Sequence, residues 1–276
     1  MTAPTLIELP ELEQGTDEWH EQRRGIVTAS VVGNLITSRS LTAIDYACPA
    51  CDAPADDSCR SKVKAGAIIK TLHPERAEAA RQSDSRTILE VASNDTSRGL
   101  TALLVAERIT GWTDPTFVSD DMMRGIEDEP RARDKYAEHF NVPVREIGFM
   151  IREDRGVKLG YSPDGLVGDD GLIEVKSRKQ KKQLETVLSG EPPAENMAQL
   201  QCGLLVSGRK WIDYISYSGG MHLWVTRVFP DQHWFDAITA AVSAFEANSA
   251  EMIRVYEESV VGFPMTERVF TEMEFE

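Results

Sequence analysis

Apolar residues recur along this chain with two periods, and the change of period marks its elements. Short apolar or alternating runs predict strands over residues 147–151, 157–161, 211–217 and 223–229. Glu153-Asp154-Arg155-Gly156 is the turn between the first two. A hairpin is predicted where Tyr161-Ser162-Pro163-Asp164-Gly165 meets Leu172-Ile173-Glu174-Val175-Lys176, joined by the tight-turn sequence Gly168-Asp169-Asp170-Gly171. The strands at 147 and 157 and the Glu-Val-Lys strand are expected to form a three-stranded antiparallel meander. Helical spacing predicts helices through Leu100, Leu103, Leu104, Ala106 and Ile109 up to Gly111, and from Asp120 through Tyr136 to Phe140, with Pro130 marking a start or a kink. Further helices are expected over 194–206, after the Pro192-Pro193 break, and over 232–258, where Phe235, Ile238, Ala241, Val242 and Phe245 form a core stripe.

The first 15 residues are polar and are expected to be loose. Thr16 or Asp17 can cap a short helix carrying Trp19 and ending at Gly25. Thr28 or Ser30 can cap a second through Val31, Val32, Leu35 and Ile36. An Ala-, Glu- and Arg-rich helix is expected over 74–92. No internal repeat is evident.

The hairpin carries the candidate chemistry. Strand side chains alternate faces, so Glu174 and Lys176 share one face while Val175 points into the core, and the turn can bring Asp164 alongside. Two carboxylates are the usual protein contribution to an Mg²⁺ or Mn²⁺ site, and a lysine beside it can hold an attacking water and stabilise charge on phosphorus. Metal-assisted phosphodiester hydrolysis is the reaction class implied. Glu-x-Lys alone is common on exposed strands; the Ser-Pro-Asp-Gly lead and the apolar flanks set this one apart. Glu129 reads either as an i,i+4 partner of Arg133 or as a third carboxylate near the metals. Arg23 stands where the chain turns between the first two helices, and alone it reads as an ordinary surface arginine.

Residues 38–94 differ in character. Cys48-Pro49-Ala50-Cys51, Cys59 and His73 are spaced as tetrahedral zinc ligands. A loop-rich insert with little apolar content needs such a staple. The rival is an iron–sulfur cluster with Cys202 as fourth ligand, but Cys202 lies in a helical pattern that favours a buried free thiol.

Composition adds one tension. The chain has 276 residues, ordinary hydrophobic content and a net charge of −15, unfavourable for binding nucleic acid except through local patches such as Arg178-Lys179-Gln180-Lys181-Lys182. No apolar run is long enough to span a membrane and no signal peptide is evident, so a cytoplasmic protein is expected.

Four motifs in order give a resemblance. Trp19-His20-x-x-Arg23-x-Gly25-x-x-Thr28-Ala29-Ser30, Gly125-x3-Glu129-x2-Ala132, the pair Ser162-Pro163-Asp164-Gly165 and Glu174-Val175-Lys176, and Met197-Ala198-Gln199-Leu200-Gln201 resemble those of the phage lambda-type exonucleases. The likeness covers about residues 15–37 and 95–230. It implies an α+β fold with a restriction-endonuclease-like core: a central mixed β-sheet, an antiparallel catalytic hairpin and flanking helices. The core would comprise residues 1–37 and 95–276, with 38–94 as a zinc-stapled insertion similar to small zinc modules of phage and actinobacterial proteins.

By the same resemblance, Asp164, Glu174 and the Val175 carbonyl hold two Mg²⁺ or Mn²⁺ ions. Lys176 orients the water, Glu129 assists, and Gln199 positions the scissile strand or Lys176. Arg23, with Thr28 and Ser30, binds the terminal 5′-phosphate. The substrate is then the end of linear double-stranded DNA, degraded 5′ to 3′ to leave a 3′ overhang. A ring-shaped trimer and a single-strand annealing protein are the implied assembly and partner. The competing readings are a non-catalytic DNA-binding protein that uses the zinc module and a restriction-type endonuclease.

Overall fold

The structure is a computed structural model, described here for residues 3–64, 66–83, 87–115 and 117–268. In chain order the elements are β1 (Thr5–Leu9), α1 (Asp17–Arg23), β2 (Val27–Thr28), α2 (Ala29–Val32), β3 (Ile36–Ser40), α3 (Pro74–Gln82), β4 (Thr87–Val91), α4 (Asp95–Thr110), α5 (Asp120–Phe140), β5 (Val144–Arg145), β6 (Phe149–Asp154), β7 (Val157–Tyr161), β8 (Gly165–Val167), β9 (Gly171–Ser177), α6 (Gln180–Ser189), α7 (Ala194–Ser207), β10 (Trp211–Tyr217), β11 (Trp224–Val228) and α8 (Gln232–Ser259).

A five-stranded sheet, ordered β11-β10-β9-β8-β5, is mixed: β9 runs parallel to β10 and antiparallel to β8. A four-stranded sheet, β1-β6-β7-β2, lies beside it, and β3 pairs with β4 as a separate two-stranded ribbon framing the residues between them. Alternation along β9 divides the interior. Leu172 joins Ile212, Tyr214, Leu200, Leu204 and Phe245 in the main core. Ile173 and Val175 face the other way, onto Ala132 and Tyr136 of α5. The mixed α+β architecture is the one the resemblance implied.

Several local expectations are corrected. The first residues are not loose: β1 pairs along β6 from Thr5↔Glu153 to Leu9↔Phe149. The expected meander does not form. After β7 the chain leaves its sheet through Ser162-Pro163, where proline offers no N–H to continue a ladder, and β8 takes its place between β9 and β5 in the other sheet. The helix expected over 74–92 stops at Gln82, and its last part is β4, whose backbone is claimed by β3. The second short helix ends at Val32, followed by a 3₁₀ turn, and Ile36 opens β3 instead. The basic run after β9 leads into α6. Pro130 lies inside α5, which continues through it.

Candidate active site

Asp164 precedes β8 and Glu174 and Lys176 lie on β9, so the hairpin register sets their spacing: Gly165 stands opposite Ile173. Gly165 suits that register, since a Cβ there would lie 2.4 Å from Val144 Cγ1. One Asp164 oxygen accepts from the Val175 backbone N–H at 2.6 Å, fixing the carboxylate against β9. Lys176 Nζ lies 2.8 Å from Glu174 Oε1, and Gln199 Nε2, from α7, donates to the same oxygen at 2.5 Å. Tyr161 OH donates to Glu174 Oε2 at 3.1 Å. Thus Gln199 holds a carboxylate rather than Lys176, and Tyr161 joins the site although its motif gave it no role. Glu129 accepts from Arg133 at 3.2 Å and lines the same cleft as the two acids. Arg133 also donates to the Asp164 carbonyl at 2.9 Å, tying α5 to the start of β8.

Negative charge is crowded in this cluster. Burial, then the charges of Glu174 and Glu129, push the Asp164 carboxyl well above the usual range. Burial also raises Glu129, with Arg133 opposing and Glu174 reinforcing. Burial would lower Lys176, but Glu174 and Asp164 outweigh it and the ammonium is held more firmly than usual. Three carboxylates drawn together against mutual repulsion, with hard oxygen donors, fit a divalent ion of the Mg²⁺ type.

Beside the acids, in the same cleft of about 360 Å³, Arg23 forms a second cluster. Its guanidinium lies 3.3 Å from Ser162 Oγ and 3.4 Å from both Thr28 Oγ1 and Ser30 Oγ. Trp19 stacks beneath it at 4.0 Å and donates its indole N–H to Ser162 at 3.1 Å. Desolvation lowers the Arg23 pKa to about 10, with Glu107 opposing, so the side chain remains cationic near neutrality. A cation ringed by three hydroxyls is suited to a phosphate group. Its turn is pinned from behind: Gly25 N–H donates to the buried Glu107 at 2.7 Å, and Arg108 donates to the Gly25 carbonyl at 2.7 Å while pairing with both oxygens of Glu246. Thr16 caps the helix that delivers Arg23, accepting from Trp19 N–H at 3.3 Å. Thr28 precedes α2 without a side-chain capping bond and turns its hydroxyl to Ser30 at 3.1 Å. Glu107, Arg108, Ser162 and Trp19 were not assigned roles from sequence; only Trp19 and Ser162 carried a signal, as motif positions.

The second candidate metal centre lies in the segment between β3 and β4. One ligand atom each from Cys48, Cys51, Cys59 and His73 falls within 4.8 Å of the others. A zinc tetrahedron with Zn–S bonds of about 2.3 Å has S···S edges of about 3.8 Å, so the group matches such a site in size and donor type. Backbone N–H groups of Arg60 and His73 point at the sulfurs of Cys51 and Cys59. The N–H from Arg60 leads in lowering the Cys51 thiol, and for Cys59 burial is outweighed by the His73 N–H, the Arg76 guanidinium and the neighbouring Cys48 and Cys51 together. Arg76 is itself fully buried and donates to the carbonyls of Tyr46, Asp57, Ile44 and Pro54 at 2.6–2.8 Å. Cys202 is remote from this group, buried in the main core on α7, as its helical spacing suggested. Among the described residues no helix is long and apolar enough to cross a membrane.

The fold has a close solved counterpart. A crystal structure of an alkaline exonuclease, LHK-Exo, from Laribacter hongkongensis matches with 26% identity and a TM-score of 0.63, covering 90% of this chain and 100% of that one. The structure of LHK-Exo in complex with dAMP matches over the same shares, with 26% identity and a TM-score of 0.62. No protein of curated function matches by sequence. The model of the YqaJ-like viral recombinase domain matches residues 18–210, a span running from the helix that bears Arg23 past the acids and Gln199, and the chain belongs to that family.

Proposed function

We propose that this chain is a metal-dependent DNA exonuclease that degrades linear duplex ends 5′ to 3′ and leaves a 3′ single-stranded overhang for recombination by annealing. The observation that carries the proposal is the sharing of one cleft by Asp164, Glu174 and Lys176 with the cationic, hydroxyl-lined pocket around Arg23. Family membership and the likeness to an alkaline exonuclease support it.

Asp164, Glu174 and the Val175 carbonyl would hold Mg²⁺ or Mn²⁺, two ions per site, with Glu129 adding negative charge. Such ions, when bound, supply Lewis acidity toward phosphoryl oxygens and acidify water. Lys176 holds the attacking water and faces the charge that builds on phosphorus. Gln199 and Tyr161 fix Glu174, so that Lys176 is aimed by a carboxylate that cannot swing away. Arg23, Thr28, Ser30 and Ser162 take the terminal 5′-phosphate and thereby set which bond reaches the acids. Residues 38–94 form an insertion stapled by structural zinc on Cys48, Cys51, Cys59 and His73. The acting form is a homo-oligomer, a ring-shaped trimer by the family resemblance, whose channel gathers the positive charge that the chain as a whole lacks. A single-strand annealing protein receives the overhang.

The test compares end-labelled linear duplex, 5′-phosphorylated or 5′-hydroxylated, with closed circular duplex, with and without Mg²⁺. Mononucleotides from linear DNA, an intact circle and faster decay of the phosphorylated end are expected, all dependent on metal. Cutting of the closed circle would make it a restriction-type endonuclease, and binding without hydrolysis a recognition protein.

A further inference from the structure

Between Cys59 and His73 the chain carries Arg60, Lys62, Lys64 and Lys70 and no acidic residue, in a protein with 45 acidic and 30 basic side chains. The described residues of this stretch fold back on one another as a small hairpin. Arg60 and Ile68 form an antiparallel bridge. Ser61 N–H donates to the Ala67 carbonyl at 2.8 Å, and Ile69 N–H to the Cys59 carbonyl at 2.9 Å. Ser61 Oγ accepts from the N–H groups of Val63 and Lys64 at 3.2 and 3.0 Å, fixing the approach to the tip. Ile69 and Leu72 pack on the buried cysteines beneath. The basic side chains therefore stand on a support fastened directly to the four metal-ligating residues.

Their charge is largely uncompensated. Lys62 pairs with Glu75 at 2.9 Å. Arg60, Lys64 and Lys70 are exposed and take no part in the ion pairs formed among the described residues. Several arginines elsewhere are engaged by carboxylates: Arg39 by Asp45 and Glu90, Arg108 by Glu246, Arg133 by Glu129 and Glu146, Arg227 by Asp213. An acidic chain repels a polyanion except where positive charge is concentrated and left unpaired.

We infer that this hairpin is a second DNA-binding element, gripping the phosphate backbone of the duplex outside the cleft, and that the zinc-type centre serves to hold it rigid. The inference rests on the nuclease reading only for the identity of the polyanion. Charge pairing of this kind adds affinity without sequence preference, and it releases counterions, which makes it measurable by salt dependence.

The experiment titrates full-length, zinc-loaded protein onto a labelled blunt duplex without added Mg²⁺, over a series of salt concentrations. The variant carries Arg60→Gln, Lys64→Gln and Lys70→Gln. Weaker binding is expected, with the slope of log Kd against log salt shallower by about 2–3, near 0.9 for each phosphate no longer neutralised, and with zinc content unchanged. An unchanged slope with zinc retained overturns the inference, and would leave the hairpin to an acidic protein partner. Should the triple variant lose zinc, Lys64→Gln alone is measured, where a slope change of about 1 is expected and none refutes. Binding is read without cleavage, so a wild-type protein that fails to hydrolyse DNA would defeat the nuclease reading while the slopes still decide this one.

Discussion

Asp164, Glu129 and Glu174 are held together by the fold at an electrostatic cost, and single substitutions can expose it. Asp164 and Glu129 bind protons more tightly folded than unfolded. Their contribution to stability is therefore present below the ordinary carboxylate pKa and is lost as pH rises through their raised folded values. In metal-free protein, Asp164→Asn should raise the Tm at neutral pH relative to wild type, and the difference should shrink toward acid. Mg²⁺ should raise the Tm of wild type but not of the variant. Scanning calorimetry across pH reads all three, and a variant that is destabilised at neutral pH would show that repulsion is not what Asp164 brings to the apo site. At the other end of the cleft, Arg23→Ala should abolish the preference for 5′-phosphorylated ends while sparing hydrolysis of 5′-hydroxyl ends. Equal rates on the two ends in wild type would remove Arg23 from phosphate binding.

Among the elements, those bearing chemistry were legible because local signals agreed with tertiary demand. Gly168 and Gly171 mark the turn of the β8–β9 hairpin, and the apolar alternation of β9 tells which residues share a face. The elements that escaped the sequence depend on distant partners. β1 is a largely exposed edge strand defined by β6, and β4, Thr87-Ile88-Leu89-Glu90-Val91, is defined by its pairing with β3. The insert shows the same limit at one residue. Its cysteine spacing pointed to a metal site, yet nothing in the Ala-, Glu- and Arg-rich run around Arg76 marks this arginine as fully buried. Removing it would take the shared donor from four carbonyls at once. Arg76→Ala should therefore unfold the insert and lower zinc content as severely as Cys48→Ser, measured by metal analysis and limited proteolysis. A variant with full zinc and wild-type protease resistance would make Arg76 dispensable.

For the whole molecule, the two sheets meet where the chain crosses from β7 to β8, and the cleft lies at that crossing. Tyr161 at the end of one sheet reaches Glu174 in the other, so assembly of the site and packing of the two sheets are coupled. This junction was beyond sequence reasoning, which kept β6, β7 and β9 in one meander. The two-stranded ribbon that frames the cysteine group packs on α8 through β4. Chelation of zinc should cost the insert its protease resistance while leaving the core transition in place, and loss of both together would show a single cooperative unit.

The central claim is that Asp164, Glu174 and Lys176 act together on a DNA phosphorus, and its most direct test is the single-turnover cleavage rate of Lys176→Ala on end-labelled linear duplex at saturating Mg²⁺. Removal of a positioned charge-stabilising donor predicts a fall of about 10²–10³-fold with duplex binding retained; a rate within a few-fold of wild type would contradict the account.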